Sequence, residues 1–428
     1  MSRRLFCFYG DDFTGSSDAL EALASGGIRS VLFLREPDQR ELAEFSDCQA
    51  IGLAGESRGR SPQWMAENLP AIFGRLSEFG APLCQYKVCS TFDSSPAVGS
   101  IGKAIEIGRE VFSSPYVPVV VAAPHLGRYV AFGNLFALGG GAVHRIDRHP
   151  TMSRHPVTPM DEGDLRLHLA KQTTSRISLL DLPALLDGTA AAKLTEVLKA
   201  GAGIVLFDGV NGDTAAETGR LLCSHAPTPA FAVGSSGLTH ALIHYWRASG
   251  VIAEAPSPSS YAAVDRLIVV SGSCSPVTEE QIRWAMASGF TGLRAKLEAS
   301  DCDGILAKAL SELERGKSIV LFTALGPADR SDGAGGPALG KKLGSLMREL
   351  VLRSGVRRVL VAGGDTATHA VRELGALALT FAGLTVPGAP LCRVHSGEAA
   401  MDGLELVLKG GQIGPEDYFD RVRKAIST

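Results

Sequence analysis

One local pattern occurs four times in this chain: a short apolar run ends in Gly, Ser, Thr or Asp residues and an amphipathic helical pattern follows. The apolar runs are residues 5–9, 230–233, 267–270 and 359–362. A parallel strand brings such a loop to the carboxyl edge of its sheet, where free N–H groups at the helix N-terminus face a ligand. The recurrence therefore predicts loops that bind anions.

Apolar strand patterns alternate with helical patterns along most of the chain, which is typical of parallel sheets flanked by helices. Apolar residues make up 45% of the 428 residues, which is enough for buried cores in two or three domains. The helical patterns cover residues 64–79, 101–112, 164–172, 191–200, 215–223, 238–247, 279–287, 305–315, 340–352 and 366–374. We predict an α/β fold of two domains, each a mostly parallel sheet flanked by helices, with the active site in the interdomain cleft.

The segment 253–263 is rich in Pro, Ser and Ala and precedes a new strand pattern, so it is the best candidate for a linker. It would separate an N-terminal domain, 1–252, from a C-terminal domain, 264–428. Residues 125–160 lack a clear periodicity, and we interpret them as an irregular insertion that lines the cleft. Residues 326–336, rich in Gly, Ala and Asp, are interpreted as a flexible lid or a disordered loop.

The charge balance argues against two classes of partner. With 42 basic and 45 acidic residues and a net charge of -3, the chain has neither the basic surface of a nucleic-acid-binding protein nor a polybasic membrane tether. No apolar stretch is long enough to cross a bilayer. The eight cysteines show no C-x-x-C spacing, which favours reduced, mostly buried thiols. We expect a cytoplasmic protein that binds neither nucleic acid nor membrane.

Two of the loops have the composition of a phosphate cradle. They are Ser271-Gly-Ser-Cys-Ser275 and Gly363-Gly-Asp-Thr366. Glycine allows a ligand to approach the backbone, serine supplies hydroxyls, and Asp365 could hold Mg²⁺ through water. Neither loop matches the P-loop or the dinucleotide fingerprint, so the alternative is that small residues merely form tight turns here. The recurrence of such loops favours the polyphosphate interpretation.

A different kind of site is indicated near the N-terminus. Asp11 and Asp12, followed by Thr14, are adjacent carboxylates at a strand end, and their repulsion needs compensation by a ligand hydroxyl, a cation or an arginine. They are candidates for polyol binding or for a base, although Asp12 or Thr14 could simply cap the next helix.

Two cations also follow predicted strands. Arg58 follows one strand, and Lys87, with Ser90 nearby, follows another, so this pair could grip a carboxylate; Asp93 could belong to the same rim. The alternative for each cation is an ordinary surface charge.

Seven separated motifs resemble, in order, those of the four-carbon acid sugar kinase family, once called DUF1537. They are Asp11-Asp12-Phe-Thr-Gly15, Glu56-Ser-Arg58, Lys87-Val-Cys-Ser-Thr-Phe-Asp93, His155-Pro-Val-Thr-Pro-Met160, Ser271-Gly-Ser-Cys-Ser275, Gly363-Gly-Asp-Thr366 and Lys409-Gly-Gly-Gln-Ile-Gly414. The resemblance implies an ATP-dependent kinase for a short sugar acid such as threonate, erythronate, 3-oxo-tetronate or 3-oxo-isoapionate. It also implies an N-terminal substrate domain and a C-terminal nucleotide domain.

The same resemblance assigns residues to the two ligands. The sugar acid would be bound by Asp11, Asp12, Thr14, Arg58 and Lys87. ATP would be bound by Ser273, Ser275, Gly363, Gly364, Asp365, Thr366, Gly410 and Gly411. For a kinase of this kind, Mg²⁺ would accompany ATP, and Asp12, with Asp11 as the substitute, is the candidate base. Where the family often has Gly-Asn-Phe-Gly, this chain has Gly411-Gln-Ile-Gly414, which suggests a distinct subgroup.

Two alternatives come from other functional classes. A nicotinamide-dependent oxidoreductase acting on a hydroxy acid would also suit an α/β fold, but the dinucleotide fingerprint is absent. A sugar-acid sensor without catalysis is the other alternative. The sequence identifies neither the metal ligands nor the acid that is phosphorylated, and it leaves open whether the chain forms a homodimer.

Overall fold

The computed structural model describes residues 4–155, 157–254, 260–295, 302–329 and 337–426. Contacts divide the chain into two compact units. The first unit is Met1–Asp11, Ala22–Ser30 and Phe45–Pro256, and the second is Asp12–Glu21, Val31–Glu44 and Ser257–Thr428. Two short N-terminal segments therefore belong to the second unit. The predicted boundaries, 1–252, 253–263 and 264–428, stay a prediction.

The described secondary structure follows the predicted alternation. The strands are β1 (Phe6–Gly10), β2 (Ser30–Phe33), β3 (Ala50–Ala54), β4 (Cys84–Lys87), β5 (Val117–Val120), β6 (Arg128–Ala131), β7 (Asn134–Gly139), β8 (Ala142–Arg145), β9 (Ile177–Leu180), β10 (Ile204–Phe207), β11 (Phe231–Gly234), β12 (Ile268–Ser271), β13 (Thr291–Arg294), β14 (Ile319–Phe322), β15 (Arg358–Ala362), β16 (Ala378–Val386), β17 (Ala389–His395) and β18 (Glu405–Lys409).

The helices are α1 (Phe13–Ser25), α2 (Gln39–Glu44), α3 (Pro62–Glu78), α4 (Ile101–Val111), α5 (Leu165–Ala170), α6 (Leu182–Asp187), α7 (Ala190–Lys199), α8 (Gly212–Ser224), α9 (Ser236–Ala248), α10 (Pro276–Ala287), α11 (Cys302–Glu314), α12 (Pro337–Ser354), α13 (Gly364–Arg372) and α14 (Tyr418–Lys424).

The first unit contains a parallel sheet with strand order β3-β1-β4-β11-β5-β10-β9. Its central strands are apolar on both faces, as expected where helices cover both sides of a parallel sheet. The register aligns Gly10 with Ala54 and with Lys87. The loops that follow β1, β3 and β4 consequently leave the sheet at one edge.

The second unit contains the strand order β13-β14-β12-β15-β18-β17-β16-β2. The first five of these strands are parallel, and the last three pair in antiparallel fashion. Ser271 is aligned with Ala362, and Ala362 with Lys409, so the loops after β12, β15 and β18 also share an edge. The prediction of an α/β fold with mostly parallel sheets is confirmed.

The interpretation of residues 125–160 as wholly irregular is wrong. Strands β6, β7 and β8 form an antiparallel sheet there, and Val130 pairs with Gly209 of the first unit. Each strand is short, and glycine-containing turns interrupt the alternation of buried and exposed residues, so no periodicity was visible over a longer window.

Three further expectations concern loops and cysteines. Of the predicted lid, residues 327–329 form a short 3-10 helix, while 330–336 lie outside the described residues, as do 255–259 of the predicted linker. All eight cysteines are free thiols, as expected. Within the described ranges, no helix combines the length and apolar character that crossing a membrane requires.

Candidate functional site

Asp11 and Arg58 form a paired site at the carboxyl edge of the first sheet. Arg58 Nη2 donates to Asp11 Oδ1 at 2.7 Å, and Arg58 Nε donates to Oδ2 at 3.1 Å. The Arg58 N–H also donates to the Asp11 carbonyl at 3.1 Å. Asp11 is only 4% exposed, so this two-pronged contact provides the charge compensation that adjacent carboxylates require. Asp11 thereby engages three donors of Arg58, two on the guanidinium and one on the backbone.

Lys87 and Ser90 lie at the same edge, at and after the end of β4. Lys87 is buried, and its Nζ donates to the Val88 carbonyl at 3.1 Å. Ser90 is also buried. Lys87 is therefore not an ordinary solvated charge, which was the alternative for this residue.

Asp93 is the centre of a polar cluster that the sequence indicated only as part of the rim. Thr91 Oγ1 donates to Asp93 Oδ1 at 2.6 Å, and Thr158 Oγ1 donates to Oδ2 at 3.3 Å. Thr158 Oγ1 also lies 3.1 Å from His155 Nδ1. Burial alone would raise the pKa of Asp93, but the charges of Arg58 and His155 and the Thr91 hydroxyl outweigh it and lower the pKa. Asp93 is therefore a candidate substrate contact.

Asp12 caps helix α1. Its Oδ1 accepts the Gly15 N–H at 2.7 Å, and its Oδ2 accepts the Thr14 hydroxyl at 2.6 Å. Asp12 therefore does cap helix α1, as the alternative interpretation of this residue proposed. The same carboxylate also faces a loop of the second unit: a Cβ on Gly364 would lie 3.3 Å from Asp12 Oδ2 and 3.6 Å from Thr14 Oγ1. A role for Asp12 as a base stays a prediction.

The loops after β12, β15 and β18 touch one another. A Cβ on Gly272 would lie 2.2 Å from Thr366 Oγ1, and a Cβ on Gly411 would lie 2.8 Å from Ser273 Oγ. A side chain at either position would force the neighbouring Thr366 or Ser273 hydroxyl to move, so glycine permits this close approach. The structure thus brings together most of the predicted nucleotide-binding residues: Ser273, Ser275, Gly363, Gly364, Thr366, Gly410 and Gly411.

Two of these positions need a separate comment. The Oγ of Ser275 is buried and has no hydrogen-bond partner among the described residues. The backbone of Asp365 lies in the first turn of α13, whereas its side chain is outside the described part of the chain.

The loop 234–237 of the first unit, which follows the apolar run 230–233, has a packing role. A Cβ on Gly237 would lie 1.7 Å from the Ala122 carbonyl oxygen. Ser235 Oγ caps helix α9 by accepting the Gly237 N–H at 3.0 Å. These small residues allow the start of α9 to pack closely against the end of β5 and the residues that follow it.

The structure distributes the predicted site residues between the two units. Asp11, Arg58, Lys87 and Ser90 belong to the first unit. Asp12 and Thr14, predicted as substrate contacts, belong to the second unit together with the glycine loops. Contacts between residues distant in sequence decide this assignment, so sequence neighbourhood could not predict it.

Two protein-family models match this chain, one for a sugar-binding domain and one for a nucleotide-binding domain. A family model described as a sugar-binding N-terminal domain matches residues 6–242. A second model, described as a nucleotide-binding C-terminal domain, matches residues 268–419.

Relatives with assigned activities match over nearly their whole length. The chain is 45% identical to 3-oxo-isoapionate kinase of Paraburkholderia graminis, over 98% of this chain and 94% of the relative. It is 29% identical to 3-oxo-tetronate kinase of Pseudomonas savastanoi, over 100% and 98% of the two chains.

Solved structures agree at the level of the fold. A Salmonella typhimurium protein has a TM-score of 0.77 at 21% identity, covering 98% of each chain. A Haemophilus influenzae protein of the family DUF1537 has a TM-score of 0.71 at 20% identity, covering 97% of this chain and 98% of that one. Neither the oxidoreductase nor the sensor alternative finds support in these matches. The chain belongs to the four-carbon acid sugar kinase family and is a phosphotransferase that acts on a sugar acid.

Proposed function

We propose that the enzyme transfers the γ-phosphate of ATP to a hydroxyl of a branched 3-oxo sugar acid of the 3-oxo-isoapionate type. The relative that carries that name is 45% identical, whereas the 3-oxo-tetronate kinase of Pseudomonas savastanoi is 29% identical. Unbranched acids such as 3-oxo-tetronate, threonate and erythronate are the competing substrates within the same reaction class.

The observation that carries the reaction is the approach of Asp12 to the loop after β15. Asp12 Oδ2 lies 3.3 Å from the position of a Cβ on Gly364, in the loop proposed to bind phosphates. A carboxylate beside the phosphate loop is suitably positioned to accept the proton of a substrate hydroxyl as that hydroxyl attacks phosphorus. Loop N–H groups would stabilise the charge on the transferring group.

The acid substrate would contact the polar edge of the first unit. The buried ammonium of Lys87 and the guanidinium of Arg58 supply positive charge for the substrate carboxylate. Asp93, held ionised by its surroundings, is an acceptor for substrate hydroxyls. Ser90 adds a hydroxyl at the same edge.

Mg²⁺ is part of the proposal because it would neutralise phosphate charge when bound with ATP. Asp365 is the residue predicted to hold it through water, and this assignment stays a prediction. A cytoplasmic location and a homodimer also stay predictions.

The test is an assay of ADP release with ATP and Mg²⁺ against 3-oxo-isoapionate, 3-oxo-tetronate, threonate and erythronate. We expect acid-dependent turnover, with the highest kcat/KM for 3-oxo-isoapionate and loss of activity when EDTA removes Mg²⁺. A higher kcat/KM for an unbranched acid would contradict the proposed substrate. A folded protein that releases ADP with none of the four acids would contradict the whole proposal.

A further inference from the structure

Lys409, at the end of β18, is a buried cation whose hydrogen bonds within the described part of the chain all go to uncharged oxygens. Its Nζ donates to Thr278 Oγ1 at 3.0 Å, to the Gly410 carbonyl at 3.0 Å and to the Gly411 carbonyl at 3.4 Å. The Thr278 hydroxyl in turn donates to the Gly411 carbonyl at 2.8 Å. Two donors from different elements therefore hold the start of the loop 410–415.

Gln281, on helix α10, holds the rest of this loop. Its Nε2 lies 3.0 Å from the Ile413 carbonyl, 3.0 Å from the Gly414 carbonyl and 2.9 Å from the Pro415 carbonyl. Gln281 is fully buried, so its amide is fixed rather than solvated. The carbonyls along the loop thus point toward the interior of the second unit.

Inward carbonyls determine where the N–H groups of the loop point. Within one trans peptide, the C=O of a residue and the N–H of the next residue point in opposite directions. The N–H groups of Gly411, Gln412 and Gly414 therefore point away from the interior. No hydrogen bond of the described chain uses these three N–H groups. Gly411 and Gln412 are consecutive, and Gly414 follows after Ile413, whose N–H donates to the Gly410 carbonyl at 3.3 Å. Neighbouring outward N–H groups of this kind form a concave site for an anion.

We propose that Lys409, Thr278 and Gln281 form a clamp that turns these three loop N–H groups toward the phosphates of the bound nucleotide, and that Lys409 is a positioning residue for that contact. The proposal rests on the proposed function, since it assumes a nucleotide at the loops of the second unit.

Charge supports the same conclusion. Burial lowers the pKa of the Lys409 ammonium to about 7, because desolvation disfavours the charged form. A buried cation without a carboxylate among its hydrogen-bond partners is costly to the fold. A bound polyphosphate near the loop would offset that cost by favouring the protonated form.

The test compares Lys409→Met, Thr278→Val and Gln281→Met with the parent chain by calorimetric titration with ADP and by steady-state kinetics. For Lys409→Met and Gln281→Met we expect the Kd of ADP and the KM of ATP to rise about tenfold, as for the loss of well-aligned phosphate contacts. Thr278→Val should produce a smaller rise. The KM of the sugar acid should not change, which a general loss of stability would not predict.

Arg358→Lys is the matched control. Arg358 is a buried cation at the start of the neighbouring strand β15, where it donates to the carbonyls of Val422 and Ala262 and forms an ion pair with Glu405. It lies at the opposite end of the sheet from the loops, so this variant should lower the melting temperature and leave the Kd of ADP unchanged.

The outcomes separate this inference from the proposed function. If the parent chain binds neither ADP nor ATP, the proposed function fails. If the parent chain binds ADP and the clamp variants bind it equally well, only the clamp is wrong. A rise in Kd for Arg358→Lys that matches its loss of stability would also overturn the clamp. Should Lys409→Met not fold, Thr278→Val and Gln281→Met decide the question.

Discussion

Asp11 and Asp12 are adjacent in sequence, but their carboxylates have different partners. Asp11 is held by the guanidinium of Arg58, with contacts of 2.7 and 3.1 Å. Asp12 accepts hydrogen bonds from Gly15 and Thr14 and faces Gly364. Because its carboxylate faces the Gly364 loop, Asp12 is our candidate for proton transfer.

Asp12→Asn tests this assignment. Asparagine caps helices about as well as aspartate, so the fold should be kept. The amide cannot accept a proton, and we expect kcat for the sugar acid to fall about 10²- to 10⁴-fold with ADP affinity retained. The measurements are ADP release and calorimetric titration with ADP. Asp164→Asn, which alters the cap of α5 instead, is the matched control. Turnover near the parent rate in Asp12→Asn would contradict the assignment.

Arg58→Met tests the pair with Asp11. Removing the arginine takes two guanidinium hydrogen bonds from a carboxylate that is 4% exposed. Breaking a buried pair in this way should lower the free energy of unfolding by on the order of 3 kcal/mol. Urea denaturation measures the change. Arg60→Met, which removes a more exposed ion pair with Glu56, should cost only about 1 kcal/mol or less. Equal changes in the free energy of unfolding for the two variants would show that the Arg58–Asp11 pair contributes no more to stability than the Arg60–Glu56 pair.

At the scale of elements, helix α1 is attached to the hairpin of β16 and β17 through Glu21. Its Oε2 accepts the Gly388 N–H, at the turn of that hairpin, at 3.0 Å. Burial, with a smaller contribution from Asp18, raises the pKa of Glu21 to about 8. Helix α1, which Asp12 caps, therefore contacts the hairpin of the second unit through the Glu21 carboxyl group, which is mostly protonated at neutral pH.

This raised pKa predicts a pH-dependent stability. Between pH 4.5 and about 8, the folded chain keeps a proton on Glu21 that the unfolded chain releases, so this contribution to stability decreases as the pH rises. Glu21→Gln keeps an acceptor for the Gly388 N–H but cannot ionise. We expect it to raise the melting temperature at pH 8 by several degrees more than at pH 5.

Thermal unfolding at the two pH values measures the effect of Glu21→Gln. Glu41→Gln is the control, because the hydrogen bond from Arg35 lowers the pKa of the Glu41 carboxylate. Replacing this carboxylate should therefore not raise the melting temperature at pH 8. The same shift in melting temperature at both pH values would contradict the raised pKa of Glu21.

The elements show which parts of the molecule local sequence can predict. Runs such as 267–270 and 359–362 are apolar, short and followed by glycine, so the parallel strands and their loops were predictable. Strands β6, β7 and β8 were not, since their alternation is brief and turns interrupt it. Lys409 was missed as a separate contributor because a lysine at a strand end usually signals a solvated charge, and only tertiary packing buries it.

At the scale of the whole molecule, the second unit is built from three separate stretches of chain. Asp12–Glu21 and Val31–Glu44 belong with Ser257–Thr428, although the predicted domains were contiguous. The cause is physical: strand β2 pairs with β16, and α1 contacts the turn at Gly388. Long-range pairings of this kind leave no local signal in the sequence.

Hydrogen exchange measured by mass spectrometry tests which stretches of chain belong to the second unit. Saturating ADP alone should slow amide exchange in residues 12–21 as well as in 271–278, 363–367 and 410–414, because all of them belong to the second unit. Residues 87–95 of the first unit serve as the internal control and should change little. Protection of the three glycine loops with no effect on 12–21 would contradict the assignment of that segment.

The division of the second unit among three stretches also has a consequence during synthesis. Residues 12–21 and 31–44 leave the ribosome on the order of 200 residues before the stretch that completes their unit. At ordinary elongation rates this is an interval of roughly 10–40 s, during which apolar side chains such as Phe13 and Leu32 lack their eventual neighbours. The nascent chain therefore exposes apolar surface during this interval. Cutting the gene at the Pro- and Ser-rich segment would deprive the later fragment of two segments of its own unit.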